Sequence, residues 1–545
     1  MLGNIKYVSV AEMIAIEKEA DASGLTYDKM MENAGRGLAE SVTAAYSHLV
    51  DEGILGLVGS GNNGGDTLVA LSILAELGWK ASAYIVRPRP ENDQLVDRFV
   101  AAGGDIYSIK GDKKFQLLGE LIGDHAVLLD GVLGTGIRLP LKKAVAEVLS
   151  FASRKVAEMD RVHVVAVDCP SGVDCESGEA AAECIPAELT VTMAAIKKGL
   201  LQLPAYDLLG ELEMVGIGLG DEGNYPEAWT RIDRFVPDWE WVRQHLPERP
   251  RDAHKGTFGT ALIVAGSVNY TGAALLAGQA AYRVGAGLVT LAVPYPLHGA
   301  LAGQFPEATW LLLPHEIGVI SEDAAKVLEE SLSNATALLF GPGFGLEETT
   351  GRFVNHLIGS SPKTRRAGIG FTPQIEKEQN VTKPLPPVVI DADGLKLLSR
   401  VAEWDQQLDK PAVLTPHPGE MSVMTGLSKE EIQDDRIYVA EKSAKEWGHV
   451  LVLKGAFTVI ASPEGMTAVI PIATPALARA GTGDVLAGLI VGLLAQGLET
   501  FPAAVVGAWL HAHGGIRAAD ALGSSAAVLA GDVLMGVVDV LADMG

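Results

Sequence analysis

The chain has 545 residues, with 43 Lys and Arg against 68 Asp and Glu, a formal charge of −25. At roughly 150 residues per domain there is room for two or three compact units, and 48% apolar with 20% charged residues excludes long disorder. The acidic balance disfavours nonspecific attraction to nucleic acid or an anionic membrane, so an anionic ligand must be held by local N–H groups, helix N-termini or metal ions.

The opening MLGNIKYVSVAEM lacks the basic and apolar regions of a secretory signal. The longest apolar run, 485–495, is far short of the ~18 residues of a membrane span, so a soluble cytoplasmic protein is expected. Cys169, Cys175 and Cys184 match neither a metal knuckle nor a disulfide framework and are expected as small buried hydrophobes.

In chain order, the apolar β-branched runs 54–60, 81–86, 125–134 and 163–170 read as strands separated by helical patterns, which predicts a parallel sheet covered on both faces. Segment 221–252, with four prolines, three tryptophans and no clear period, marks a domain boundary near 220–245. Runs 260–267, 287–294, 335–343, 386–394, 411–420 and 449–462 then restart the alternation and predict a second α/β domain. The expected domains are 1–225 and 240–545, the second carrying a surface insertion at about 361–386, where Lys, Arg, Pro and Gln interrupt the rhythm.

The first strand runs into Gly59-Ser-Gly61-Asn-Asn-Gly64-Gly-Asp66 and then a helical run beginning at Thr67. Backbone without Cβ lets a ligand approach, and a helix N-terminus offers free N–H groups to an anion. An ordinary dehydrogenase would carry Asp or Glu at the end of the second strand; here the strand ends in Arg87-Pro88-Arg89, and no Lys-Ser or Lys-Thr of a P-loop follows the glycines. Two further strand-end loops hold Asp130 with Gly134 to Pro140, and Asp168 with Ser171. Asn63, Asp130 and Ser171 are candidate oxygen ligands for a cation, although each alone also suits a turn or cap.

In the second half, Ala480-Gly-Thr-Gly-Asp484 opens a helical run. Glycines at a helix start form an anion hole, and Asp484 is placed to take a proton from a hydroxyl being phosphorylated, with a plain N-cap as the structural alternative. His417 stands between prolines after an apolar strand, and Lys454 precedes Gly455, which permits close approach.

GNNGGD, DGVLGTGIRLP, VDCPSGVD and MMENAG together resemble the N-terminal domain of the bifunctional NAD(P)H-hydrate repair enzymes, and HKGTFG, AGSVNYTGAALLAG, GPGFG, DADG, LTPHPGE, KGAFTVI and AGTGD resemble their dehydratase domain. The resemblance implies a Rossmann-like three-layer α/β/α domain with NAD(P)H-hydrate epimerase activity, followed by a ribokinase-like α/β domain that dehydrates the S form at the expense of ADP or ATP. It implies that Asn62, Asn63, Gly64, Gly65 and Asp66, with Gly134, Thr135, Gly136, Ile137, Arg138, Leu139 and Pro140, cradle the hydrated dinucleotide. Asn63, Asp130 and Ser171 would hold potassium, and Asp168 would be the acid/base residue. Ala273, Gly343, His417 and Asp484 would contact the dehydratase substrate, and Lys454, Gly455, Ala456, Phe457, Thr458 and Gly483 the nucleotide, with magnesium across its phosphates. The resemblance also implies a homo-oligomer acting on hydrated NADH and NADPH. Thr67 stands where the family has glycine and Cys169 where it has isoleucine; Lys197 matches a family lysine but reads by itself as a solvated charge. A vitamin or sugar kinase fused to a dinucleotide-binding domain, and a non-catalytic dinucleotide sensor, remain open from the residues alone.

Overall fold

The computed structural model describes residues 4–220, 223, 225–359, 385–408 and 411–545; most of the expected insertion at 361–386 lies outside them. The chain divides into two compact units, Ile5–Val236 and Pro237–Gly545, with Asn4 assigned to the latter.

In the first unit the main strands are β1 (Ile54–Val58), β2 (Ala81–Ile85), β3 (Asp105–Ser108), β4 (Val127–Gly131), β5 (His163–Val167), β6 (Leu189–Met193) and β7 (Glu211–Val215). They form a seven-stranded sheet in the order β3-β2-β1-β4-β5-β6-β7, and every neighbouring pair is parallel. Because side chains alternate across a strand, Ile54 and Val58 join one apolar cluster and Leu55 and Leu57 another. Helices Val10–Ala22, Tyr27–Tyr46 and Asn62–Glu76 cover the first face, and Gln116–Asp124 and Lys143–Ala157 the second. Strand β6 reads LTVTM and carries two hydroxyls on a fully covered sheet, where Thr190 is satisfied by donating to Leu209 O at 2.7 Å. Chain order reverses direction between β1 and β4, and the crevice beyond the C-terminal ends at such a point is where ligands bind in open parallel sheets.

The second unit holds β8 (Thr260–Val264), β9 (Leu288–Pro294), β10 (Thr309–Leu313), β11 (Ala337–Phe340), β12 (Val388–Ile390), β13 (Val413–Leu414), β14 (Val450–Leu453), β15 (Val459–Ala461) and β16 (Thr467–Val469). The order is β10-β9-β8-β11-β12-β13-β14-β15-β16. Pairs up to β14 are parallel, and β14, β15 and β16 pair antiparallel. The single run expected at 449–462 is therefore a hairpin, whose turn is the 454–458 segment. Helices Ala324–Ser331, Glu348–Gly359, Asp393–Leu398 and Arg436–Trp447 cover one face. Helices Gly272–Arg283, Thr482–Ala495, Thr500–Leu522 and Ala530–Met544 pack with one another on the other. Both units are three-layer α/β structures, the class expected from the alternation. No helix among the described residues is long and apolar enough to cross a membrane.

Candidate functional site

At the C-terminal ends of β1, β4 and β5 the chain leaves Val58, turns through 59–61 and enters helix Asn62–Glu76. The helix thus begins at Asn62, not at Thr67, and Asn63 to Asp66 lie on its first turn rather than in a loop. Gly64 and Gly65 are poor helix formers, but a Cβ on Gly64 would lie 2.1 Å from Gly59 O and one on Gly65 2.6 Å from Met31 Sδ. Close packing overrides propensity and presses the helix start onto the strand ends. Arg89, ion-paired to Asp93, donates from Nη1 to Gly59 O at 2.9 Å and fixes the turn from outside.

Asn63 donates through Nδ2 to Leu133 O at 2.9 Å and to Val167 O at 2.5 Å, tying this helix to the two other strand-end loops. Gly134 abuts it, since a Cβ there would lie 2.4 Å from Asn63 Oδ1. Thr67 Oγ1 donates to Asn63 O at 2.7 Å and fills the space beside Gly131, so the departure from glycine is accommodated inside the helix. Thr135 to Pro140 complete the neighbouring loop, half-buried or exposed.

Asp130 is fully buried and accepts from Ser171 N at 2.8 Å and Ser171 Oγ at 2.5 Å. Burial pushes its pKa up, with the Ser171 hydrogen bonds opposing. Among the described residues no basic side chain pairs with it.

Asp168 is the residue after β5 and has a positive φ of 66°. Its Oδ1 accepts from Thr192 Oγ1 at 3.2 Å, from Met193 N at 3.0 Å and from Lys197 Nζ. Lys197 is 2% exposed and also donates to Thr192 Oγ1 at 3.1 Å and Met193 O at 2.8 Å. The reading of this lysine as solvated is overturned: it is buried because a hydroxyl, a carbonyl and a carboxylate replace its water. Two more acids join the cluster. Burial pushes Asp66 well above the usual carboxylate range, with Asp168 and Glu17 adding to the effect and Lys197 opposing it. Burial also raises Glu17, against the pull of Lys197. Glu17 sits on helix Val10–Ala22, far from any glycine motif, and the sequence offered no signal for it. A carboxylate held against an ammonium, beside a carboxyl that favours its neutral form, can exchange a proton with a hydroxyl. The three cysteines are free and buried, as their spacing suggested.

In the second unit, helix Thr482–Ala495 starts after Gly481, which has a φ of 92° and occupies the cap position. Asp484 is therefore in the first turn and is not the cap. Its pKa is raised to about 7, by burial first and then by Asp391, against Lys454. Lys454 Nζ lies 2.7 Å from Asp391 Oδ1 and 3.7 Å from Glu420 Oε2. Thr415 Oγ1 donates to the same Asp391 oxygen at 2.7 Å. A Cβ on Gly483 would be 3.5 Å from Lys454 Nζ and 3.9 Å from Asp391 Oδ2, so both charges stand at the helix start. Asp391 and Glu420 were given no role by sequence reasoning, though both lie inside motifs it quoted.

His417 caps helix Pro418–Thr425: its Nδ1 accepts from Gly419 N at 2.9 Å and Glu420 N at 3.3 Å, leaving Nε2 near Glu420. Burial lowers its pKa, with Glu420 opposing. Gly343 and Ala273 meet, because a Cβ on Gly343 would lie 2.9 Å from Ala273 Cβ and from Tyr270. Gly341 in the same turn lies against the backbone of Asp391 and Gly394. Lys454, Gly455, Ala456, Phe457 and Thr458 form the β14–β15 turn, with Thr458 Oγ1 donating to Gly455 O at 3.0 Å.

Fold and sites define an α/β protein with two separate carboxylate centres, each at a glycine-rich helix start of a parallel sheet. The family model described as NAD(P)H-hydrate dehydratase matches residues 261–536, and that described as YjeF-related protein N-terminus matches 27–199. A bifunctional NAD(P)H-hydrate repair enzyme from Moorella thermoacetica is 36% identical over 97% of this chain and 95% of its own, and its Escherichia coli counterpart is 32% identical over 91% and 86%. An ADP/ATP-dependent NAD(P)H-hydrate dehydratase from Bacillus subtilis, co-crystallised with ATP and magnesium, is 31% identical over 57% of this chain and 99% of its own, with a TM-score of 0.45. The chain belongs to the family of bifunctional NAD(P)H-hydrate repair enzymes.

Proposed function

We propose that the family's two activities divide between the two units, with epimerisation of hydrated NADH and NADPH in Ile5–Val236 and nucleotide-driven dehydration in Pro237–Gly545. The chain is a bifunctional enzyme of nicotinamide nucleotide repair. The observation that carries the division is that each unit has its own carboxylate beside a glycine-rich turn, Asp168 after β5 in one and Asp484 at the start of helix Thr482–Ala495 in the other.

In the epimerase unit Asn62 to Asp66 and Gly134 to Pro140 cradle the dinucleotide. The damaged ring carries a hydroxyl on the carbon next to its nitrogen, and Asp168 takes that hydroxyl's proton, assisting reversible inversion at the centre. Asn63, Asp130 and Ser171 fit a potassium ion, because Asp130 is wholly buried without a cation and buried charges are paired or coordinate metals. When bound, the ion supplies positive charge beside the dinucleotide.

In the dehydratase unit Ala273, Gly343, His417 and Asp484 contact the substrate. Lys454 to Thr458 and Gly483 hold ADP or ATP, whose phosphates carry magnesium. Hydroxide leaves poorly, so Asp484 removes the hydroxyl proton while the terminal phosphoryl group passes to that oxygen. The ring nitrogen's lone pair then expels phosphate, and loss of a proton from the adjacent ring carbon restores the reduced nicotinamide. A raised pKa keeps Asp484 basic enough to accept a proton near neutrality. Lys454, fixed by Asp391, faces the same helix start as this chemistry. The protein acts as a cytoplasmic homo-oligomer.

The test supplies each epimer of hydrated NADH with Mg·ADP and follows the near-ultraviolet absorbance of reduced nicotinamide. Asp484→Ala should stop dehydration of both epimers, and Asp168→Ala should slow only the R form to its spontaneous epimerisation rate. If 18O placed in the substrate hydroxyl never appears in released phosphate, the phosphorylation route is wrong.

A further inference from the structure

The 454–458 turn is bordered by a cation that none of the motifs includes. Arg436 is the first residue of helix Arg436–Trp447. Its Nη2 donates to Leu453 O at 2.8 Å and its Nη1 to Gln433 Oε1 at 2.8 Å, both neutral acceptors. The Nε atom is buried with no partner among the described residues. Gly455 lies directly against the guanidinium: a Cβ there would sit 2.9 Å from both terminal nitrogens and 3.1 Å from Cζ, so any side chain at 455 would displace it.

Three features of this arrangement oppose the charge. It is partly buried, and burial lowers its pKa to about 10. No carboxylate among the described residues pairs with it. It stands in the first turn of a twelve-residue helix, where the backbone dipole favours anions. Arginine is retained at buried sites where its planar fork meets carboxylate or phosphate, and a buried charge without an internal partner is satisfied by a ligand's charge. The acids nearest the turn are committed elsewhere: Asp391 and Glu420 face Lys454, and Asp435 caps the helix through Tyr438 N.

We infer that Arg436 is an anion-binding residue of the nucleotide site, reaching the phosphate oxygens of ADP or ATP over Gly455. This rests on the assignment of residues 454–458 to the nucleotide. Lys454 is neutralised by Asp391, so the turn has no other uncommitted cation among the described residues that the contacts show beside it.

The test compares the full chain with its Arg436→Met and Arg436→Lys variants, titrating Mg·ADP and, separately, adenosine. Arg436→Met should weaken ADP binding at least tenfold, leave adenosine binding unchanged and melt no lower than wild type when free of ligand, because an uncompensated buried charge has been removed. Arg436→Lys, which keeps the charge and loses the fork, should show an intermediate loss for ADP. If Arg436→Met melts lower and binds ADP as wild type does, the arginine only braces Leu453 and the inference is overturned. Should Arg436→Met be insoluble, an unchanged KM for ADP in Arg436→Lys overturns it equally. A wild-type chain that binds neither adenosine nor ADP overturns the nucleotide site itself and Arg436 with it.

Discussion

Replacing Lys197 by Met removes the ammonium that meets Asp168 while keeping most of the side chain's volume. Lys197 is 2% exposed and the Asp168 side chain 10%, so water screens neither. Removing one partner of a buried ion pair costs about 3–5 kcal/mol, because the survivor is stranded. The loss should lie towards the upper end, since Asp66 and Glu17 surround the stranded carboxylate with more acid. At about 2–4 °C per kcal/mol for a unit of this size, the transition of Ile5–Val236 should fall by roughly 6–20 °C. Calorimetry reads the shift, and chromatography resolving the R and S hydrates reads epimerisation, which should drop to its spontaneous rate while the S form is still dehydrated. Adding Asp168→Asn should return much of the lost stability without returning activity, a coupling that a double-mutant cycle measures. A Lys197→Met protein that melts with wild type, or that epimerises at full rate, refutes the role given to the pair.

Three further outcomes follow from the geometry. Exchange of potassium for tetramethylammonium should slow epimerisation and spare dehydration, and Asp130→Asn should lose this ion dependence; equal rates with either ion would remove the cation from the site. Gly64→Ala places a methyl group 2.1 Å from Gly59 O, so the helix start must move; R-to-S conversion should be lost and dehydration of S hydrate kept, and an active Gly64→Ala epimerase would contradict the packing described. Burial depresses His511 to about 4 in the folded chain, whereas the unfolded chain protonates near its ordinary value of about 6.5. The unfolded state therefore binds more protons in that window, and the native state loses stability as pH falls from about 6.5 towards 4, by about 2 kcal/mol at pH 5. His511→Gln should show a correspondingly smaller fall in melting temperature between pH 7 and pH 5, and an identical fall would exclude this histidine as the cause.

The strands legible in the sequence were those written as continuous apolar runs, as β1 and β8 are. The strand β6 was missed because its threonines look polar until the neighbouring loops satisfy them, and β7 because it is short and its glutamates are poor strand formers. Motif spacing singled out Asp168 and Asp484, the first because it ends an apolar run and the second because it opens one after a glycine turn. It could not show that Lys197 is buried, because the burial is stabilised by an acid 29 residues away. Nor could it find Glu17, which reaches its cluster only through the packing of helix Val10–Ala22. The early start of helix Asn62–Glu76 was hidden for the opposite reason: local propensity pointed to a loop, and the contacts that override it come from Gly59 and Met31.

The backbone at Asp168 adopts a conformation that glycine or asparagine would occupy with less strain. Evolution under heat alone, with no supply of damaged coenzyme, should therefore relax this position only together with Lys197, whose buried ammonium would otherwise be stranded, yielding hardier proteins that leave the R hydrate to its own slow turnover. Thermal robustness and handedness correction would then trade against each other at this pair of residues.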